Sequence, residues 1–97
     1  MPERIGPHFK SFELVIVSSQ AIGLAPELIR GLSFGLITVE GAKLRFRLDG
    51  NDPSDAVGND LGPGDVLELN SHNQLSLVRF IRRGVIDAVL HCQYGGG

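Results

Sequence analysis

The chain predicts an all-β fold, a small antiparallel β-sandwich or barrel of about six to eight strands. Short apolar runs recur with turn residues every ~8–12 positions, the spacing of small sandwiches and barrels. Thirteen glycines and five prolines punctuate 97 residues, and short strands need such frequent turns. Lys43–Asp49 alternates charged and apolar residues without a break, which gives one strand face to a core and the other to water.

The elements follow in order. Residues 1–10, MPERIGPHFK, read as an N-terminal arm. No continuous apolar segment follows its first charges, so it is not read as a signal peptide. Phe12–Ser18 (FELVIVS) is a first strand, with a middle apolar enough to be buried on both faces. Ser18–Arg30 is an irregular crossover. Pro26 bars a continuous helix but can open one short turn ending near Gly31, with Leu24, Leu28 and Ile29 covering one end of the core. Ser33–Glu40 is the second strand, and its interior Gly35 marks a bulge.

After a tight Gly41-Ala42 connection, Lys43–Asp49 is the third strand. Leu44, Phe46 and Leu48 face the core, and Lys43, Arg45 and Arg47 face water. Asp49–Pro53 and Gly62–Asp65 carry turn chemistry, because Gly and Asn accept left-handed angles and Pro fixes φ. Val66–Asn70 is the fourth strand, and Ser71–Gln74 links it to a fifth over Leu75–Arg82. Arg83–Val85 turns into a sixth, Ile86–Tyr94, with Ile86, Ala88, Leu90, Cys92 and Tyr94 on one face. Residues 95–97 are a flexible tail. The expected core is Phe12, Leu14, Ile16, Phe46, Leu48, Leu67, Leu69, Phe80, Leu90 and Tyr94, in one domain spanning residues 1–97.

Composition narrows the function classes. No apolar run approaches the ~18 residues that span a bilayer, and a net charge of −2 gives no global attraction to nucleic acid. Neither a membrane nor a nucleic acid is expected as partner. The single cysteine, Cys92, has no internal disulfide partner. It reads as a small apolar strand residue in a protein made in the cytosol. Charge is segregated. Asp49, Asp52, Asp55, Asp60, Asp65 and Glu68 lie in a stretch free of Lys and Arg. Lys43, Arg45 and Arg47 precede it, and Arg79, Arg82 and Arg83 follow. That pattern suits pairing within the chain or between copies.

No catalytic set emerges, and no enzyme, cofactor or metal is expected. Asp49, Asn51, Asp52 and Asp55 offer hard oxygen donors, but Gly50 and Asp60 stand where an EF-hand loop needs a donor spacing and a closing Glu. Asp and Asn capping their own turns is the simpler reading. His8, His72 and His91 share no ligand spacing. The Gly62–Gly64 turn opens no helix, so it is not a phosphate loop. Arg79, Arg82, Arg83 and Phe80 suit an acidic protein surface better than a nucleic acid.

Two segments, LRFRLDGNDPSDAVGNDLGPGDVLEL and LVRFIRRGVIDAVLHCQY, resemble a family of small tailed-bacteriophage proteins. That family's pattern runs R-x-R/T-L-D-G-x-x-P-S/T, then G-x-x-L-x-x-G-D, then F-I-R-x-G-x-x-D-A-x-L-x-V-x-Y. Arg45, Arg47, Leu48, Asp49, Gly50, Pro53 and Ser54 match the first part; Gly58, Leu61, Gly64 and Asp65 the second. Phe80, Ile81, Arg82, Gly84, Asp87, Ala88, Leu90 and Tyr94 match the third, with Arg83 and Cys92 as departures. The resemblance spans Arg45 to Tyr94.

It implies a virion structural protein, most simply a capsid decoration or cement protein that binds the major capsid protein or other virion proteins and stabilises the head. Such a protein is assembled in the host cytoplasm and located in the virion. It implies self-association, with three-fold clustering favoured. The unlike charge patches make Arg45, Arg47, Asp49, Asp52, Arg79, Arg82 and Arg83 the expected contact residues. A shorter similarity, in the Leu-Asp-Gly turn, is to β-sandwich modules of chitin-degrading enzymes. It makes a carbohydrate-binding or accessory module the alternative, although the chain has no Trp and one Tyr.

Overall fold

Strand β1 (Phe9–Val17) pairs antiparallel with the last strand, β7 (Ala88–Gly95), which in turn pairs with β2 (Phe34–Glu40). Strand β5 (Val66–Leu69) closes the far edge, so the first sheet runs β1-β7-β2-β5. A second antiparallel sheet runs β4-β3-β6, from Asn59–Leu61, Leu44–Arg47 and Arg79–Arg82. This computed structural model describes residues 9–54 and 56–96. It is 46% strand and 11% helix, an all-β structure of two sheets with seven strands.

The core lies between the sheets. Val15, Val17, Ile37, Val39, Leu90, Cys92 and Tyr94 face it from the first sheet, and Leu44, Phe46 and Phe80 from the second. Phe46 and Phe80 are register partners whose ring centroids lie 6.4 Å apart. Leu48 and Leu67 pack against this core half-buried.

The first strand runs in the opposite phase to expectation. Phe12, Leu14 and Ile16 are 66%, 61% and 49% exposed, and Val15 and Val17 are buried. Pairing with β7 decides this. Val15 sits opposite Leu90 and Val17 opposite Ala88, and directly opposed residues share a face. Once Leu90 and Ala88 point inward, Val15 and Val17 must follow. The strand also begins earlier than read, taking Phe9 and Lys10 out of the arm.

Three other expectations change. Gly35 sits in regular register with both neighbours, so it is not a bulge. It is a close approach, because a Cβ there would lie 2.7 Å from Leu75 Cδ2. Leu75 belongs not to a strand but to helix α2 (His72–Leu77). The Ser71–Gln74 spacing is that of a capping box. Ser71 Oγ accepts from the Gln74 N–H at 3.1 Å, while Gln74 Oε1 accepts from the Asn70 N–H at 2.7 Å. Strand β6 is therefore only Arg79–Arg82. Finally, Gly95 is not tail but sheet, buried and paired with both Phe9 and Phe34.

The crossover matches its reading. A four-residue helix, α1 (Pro26–Ile29), starts at Pro26, and Leu24 and Ile29 are buried. Before it, Ile22 bridges to Phe80 by backbone hydrogen bonds of 2.9 and 2.8 Å.

Candidate functional site

The seven residues expected to bind a partner bind one another or their own loop. Arg47 pairs with Asp49, Arg79 with Asp52 at 2.9 Å and Arg82 with Asp87 at 2.7 Å. Arg45 and Arg83 both reach Asp60, each at 3.4 Å. The register places Arg45, Arg47, Arg79 and Ile81 on the outer face of the small sheet, opposite Phe46 and Phe80. The segregated charges of the sequence are thus brought together within one chain. The acidic loop lies over the small sheet's outer face and is clamped there by the arginines beneath. Exposed pairs of this kind are worth ~0–1 kcal/mol each, so the clamp's effect is to order the loop.

Asp49 caps its own turn as expected. Its Oδ1 accepts from the Asn51 N–H at 3.1 Å, and Gly50 takes φ 85°. The Arg47 guanidinium holds the Asp49 carboxyl down at about 2, and Asp49 in turn raises Arg47. Asp52 ties the loop to β6 by accepting from Arg79 Nε at 2.9 Å. The oxygen donors considered for calcium are therefore divided. Asp49 and Asp52 each face an arginine, and Asp55, like His8 and Gly97, lies outside the described residues. His72 Nδ1 lies 3.0 Å from the Leu32 carbonyl, and His91 pairs with Glu40 at 2.7 Å.

Among the described residues, Arg45 Nε and Arg82 Nε are buried with no hydrogen-bond partner. Arg82 borders an open depression of about 400 Å³ lined also by Ser19, Ser54, Ile81 and Gly84.

Sequence reasoning passed over three features. The first is a carboxylate. Glu13 Oε1 accepts from the Tyr94 hydroxyl at 2.7 Å and from the Ala25 N–H at 3.2 Å, joining β1, β7 and the crossover. Burial pushes the Tyr94 hydroxyl strongly upward, and the Cys92 thiol beside it up to about 11, so both stay protonated and inert at neutral pH. No signal in the sequence marks Glu13, whose partner is 81 positions away.

The second is the loop that crosses from β6 in the small sheet to β7 in the large one. Val85 is 86% exposed and Ile86 65%. The loop's base is braced by the Arg82–Asp87 pair and by the Arg83 N–H, which donates to the Lys43 carbonyl at 3.1 Å. A shallow hollow of about 280 Å³ lies between this tip and the Gly41–Lys43 turn. The pair Val-Ile directly after a Gly was the available signal, but Ile86 fits the period of the last strand.

The third is the outer face of the large sheet. Phe12, Leu14 and Ile16 line its β1 edge, with Val66, also exposed, on β5. Between them lie Leu36, Thr38, Val89, His91 and Gln93. No protein-family model, no curated protein and no solved structure matches the chain.

Proposed function

We propose that this protein works by attachment, as a virion structural protein of the capsid-decoration kind that docks on the major capsid protein. The observation that carries the reading is the tip of the β6–β7 loop. Two branched apolar side chains, Val85 and Ile86, stand out in water on a loop fixed at its base by an ion pair and a backbone hydrogen bond. They contribute nothing to the core, and their exposure costs solubility. A rigid apolar knob entering a partner's pocket is the usual anchor of a protein interface. Lys43 and Arg83 beside it supply a polar, cationic rim that would steer the knob to an acidic surface. Repetition over a symmetric shell multiplies modest single contacts into firm retention. The resemblance across Arg45–Tyr94 supplies the virion setting.

One observation favours the carbohydrate alternative. Phe12 offers an exposed ring beside Gln93 and His91 around a shallow depression. Its flanking neighbours on β1, Leu14 and Ile16, are purely apolar and suit a protein better than a sugar.

The test is co-sedimentation with particles assembled without the protein. Val85→Ser with Ile86→Ser should reduce retention at least tenfold and leave the melting temperature unchanged. Undiminished retention would remove the β6–β7 loop from the reading. Absence of particle binding together with retention on insoluble polysaccharide would replace the reading with the sugar-binding one.

A further inference from the structure

The outer row of β1 is unexplained by folding or by the β6–β7 loop. Burying side chains of this size is worth ~1.5–3 kcal/mol each, and here Phe12, Leu14 and Ile16 stay largely in water. β1 is also an edge strand, where natural sheets place charge to prevent sticking. The row extends across the sheet. Ile16 is level with Val89, and Leu14 is level with His91, Thr38 and Val66. Monomers rarely keep a continuous apolar patch of this kind uncovered.

The arrangement of the face identifies what covers it. The row on β1 is centred on Leu14, with Phe12 and Ile16 two positions to either side. A two-fold axis lying in the interface, across the strands and through the Leu14 level, lays β1 antiparallel over β1 of a second copy. Phe12 then meets Ile16 of the second copy, and Leu14 meets Leu14. The acids obey the same axis. Glu40 is on the Ile16 level and Glu68 on the Phe12 level, on opposite sides of the axis. Neither acid meets its own image, and Glu40 is already paired with His91. Four strands ~4.8 Å apart and ~25 Å long give a face on the order of 500 Å² in plan. With its side-chain relief, that approaches the ~800 Å² per partner of a standard interface.

We propose that the outer face of the four-stranded sheet is a homodimer interface, two copies stacking sheet on sheet about a two-fold axis through Leu14. Aligned stacking of this kind, near −30° and ~10 Å apart, is how sheets ordinarily pack. It joins copies in pairs, where the sequence resemblance suggested threes. It does not depend on the attachment reading, since Val85 and Ile86 sit in the β6–β7 loop and not on the strands of this face.

Sedimentation velocity on the whole chain, from micromolar to millimolar concentration, should show a species of twice 10.4 kDa. Leu14→Glu should weaken dimerisation at least 100-fold without moving the melting temperature of dilute protein. Leu14→Cys and Thr38→Cys, made separately, should each be joined to the same residue of the second copy by a short bifunctional thiol reagent, since facing Cα atoms ~10 Å apart are too far for a direct disulfide. Native Cys92, 2% exposed, takes no part. The tip variants with Ser at 85 and 86 should dimerise normally, so failure here is distinct from failure of particle binding. A monomer or trimer at millimolar concentration overturns the proposal, as does a Leu14→Glu protein that still dimerises. Cross-linking through position 14 but not 38 overturns it too, because edge-to-edge pairing of β1 strands leaves the two Thr38 more than ~20 Å apart.

Discussion

The two outer faces of this sandwich solve the same problem in opposite ways. On the small sheet, Arg45, Arg47 and Arg79 cover the pleat and are tied to Asp60, Asp49 and Asp52. The charges of that face are paired within the chain. On the large sheet, Phe12, Leu14, Ile16 and Val66 are left uncovered. A face occupied by its own loop is closed to other molecules at little cost in stability. A face covered by apolar side chains stays available, because only another apolar surface relieves it. The charged residues that stand out in the sequence are thus fastened to one another within the chain, and the quieter apolar row on β1 is what stays uncovered.

The sharpest way to break this comparison is to place the same charge on the two sides of β1. Val15→Asp puts a carboxylate where the side chain is 3% exposed. It should prevent folding, since a buried unpaired charge costs several kcal/mol even after the protein relaxes. Leu14→Asp, one position away, should melt within ~0.5 kcal/mol of the parent, as surface substitutions do. Chemical denaturation measures both, and equal losses would mean that the strand's phase is wrong.

Rings come next. Phe80→Ala should cost ~3–5 kcal/mol, the range for a buried aromatic, because Phe80 is fully buried. Phe12→Ala, on the open face, should change urea stability little and self-association strongly.

A smaller effect tests the link between the sheets' connections. Tyr94→Phe removes the hydroxyl that donates to Glu13 and should cost ~1 kcal/mol, the net worth of one such bond. Glu13→Leu should cost more, because the Tyr94 hydroxyl and the Ala25 N–H both lose their acceptor and an unmet buried group costs ~1–3 kcal/mol.

The smallest effect belongs to the ionic face. Asp49 titrates at about 2 in the fold against an ordinary 3.8. A depressed carboxyl contributes stability that is present above the unfolded value and lost as pH falls through the folded one. The melting temperature should therefore decline between pH 3.8 and about 2 by an increment that Asp49→Asn abolishes. An identical acid limb in the variant would show that Asp49 only decorates the turn.

The same contrast explains what was legible in the sequence. In β3, arginines alternate with Leu44 and Phe46, so the polar half fixes the phase of the apolar half. In β1 both halves are apolar from Leu14 to Val17, and period two carries no phase. Only pairing with β7, some 75 residues on, decides which half is buried, so Phe12, Leu14 and Ile16 were assigned to the core. The helix at His72–Leu77 was lost for a different reason. Leu75 and Leu77 also fit a strand's alternation, and the local Ser71–Gln74 cap outranks that pattern. The site fared similarly. The arginines and acids were visible as charge, but a charge run does not say whether its partner is its own chain. The exposed tip at Val85 and Ile86 looked like the first residues of a strand.

The placing of Phe9 beside Gly95 has a practical consequence. The chain leaves the sheet where it enters it, so its course is close to a closed ring. Anything joined before Phe9 or after Gly96 departs from one pole, and the Val85–Ile86 tip lies at the other, a strand of eight residues away. In a chain trimmed to residues 9–96, a peptide or fluorescent cargo fused at either end would be held ~25 Å from the tip and point away from whatever the tip grips. The adjacent ends also permit rewiring. A short Gly-rich bridge between them, with new ends opened at Gly84, should give a permuted protein that keeps both sheets and lacks only the continuity of its knob.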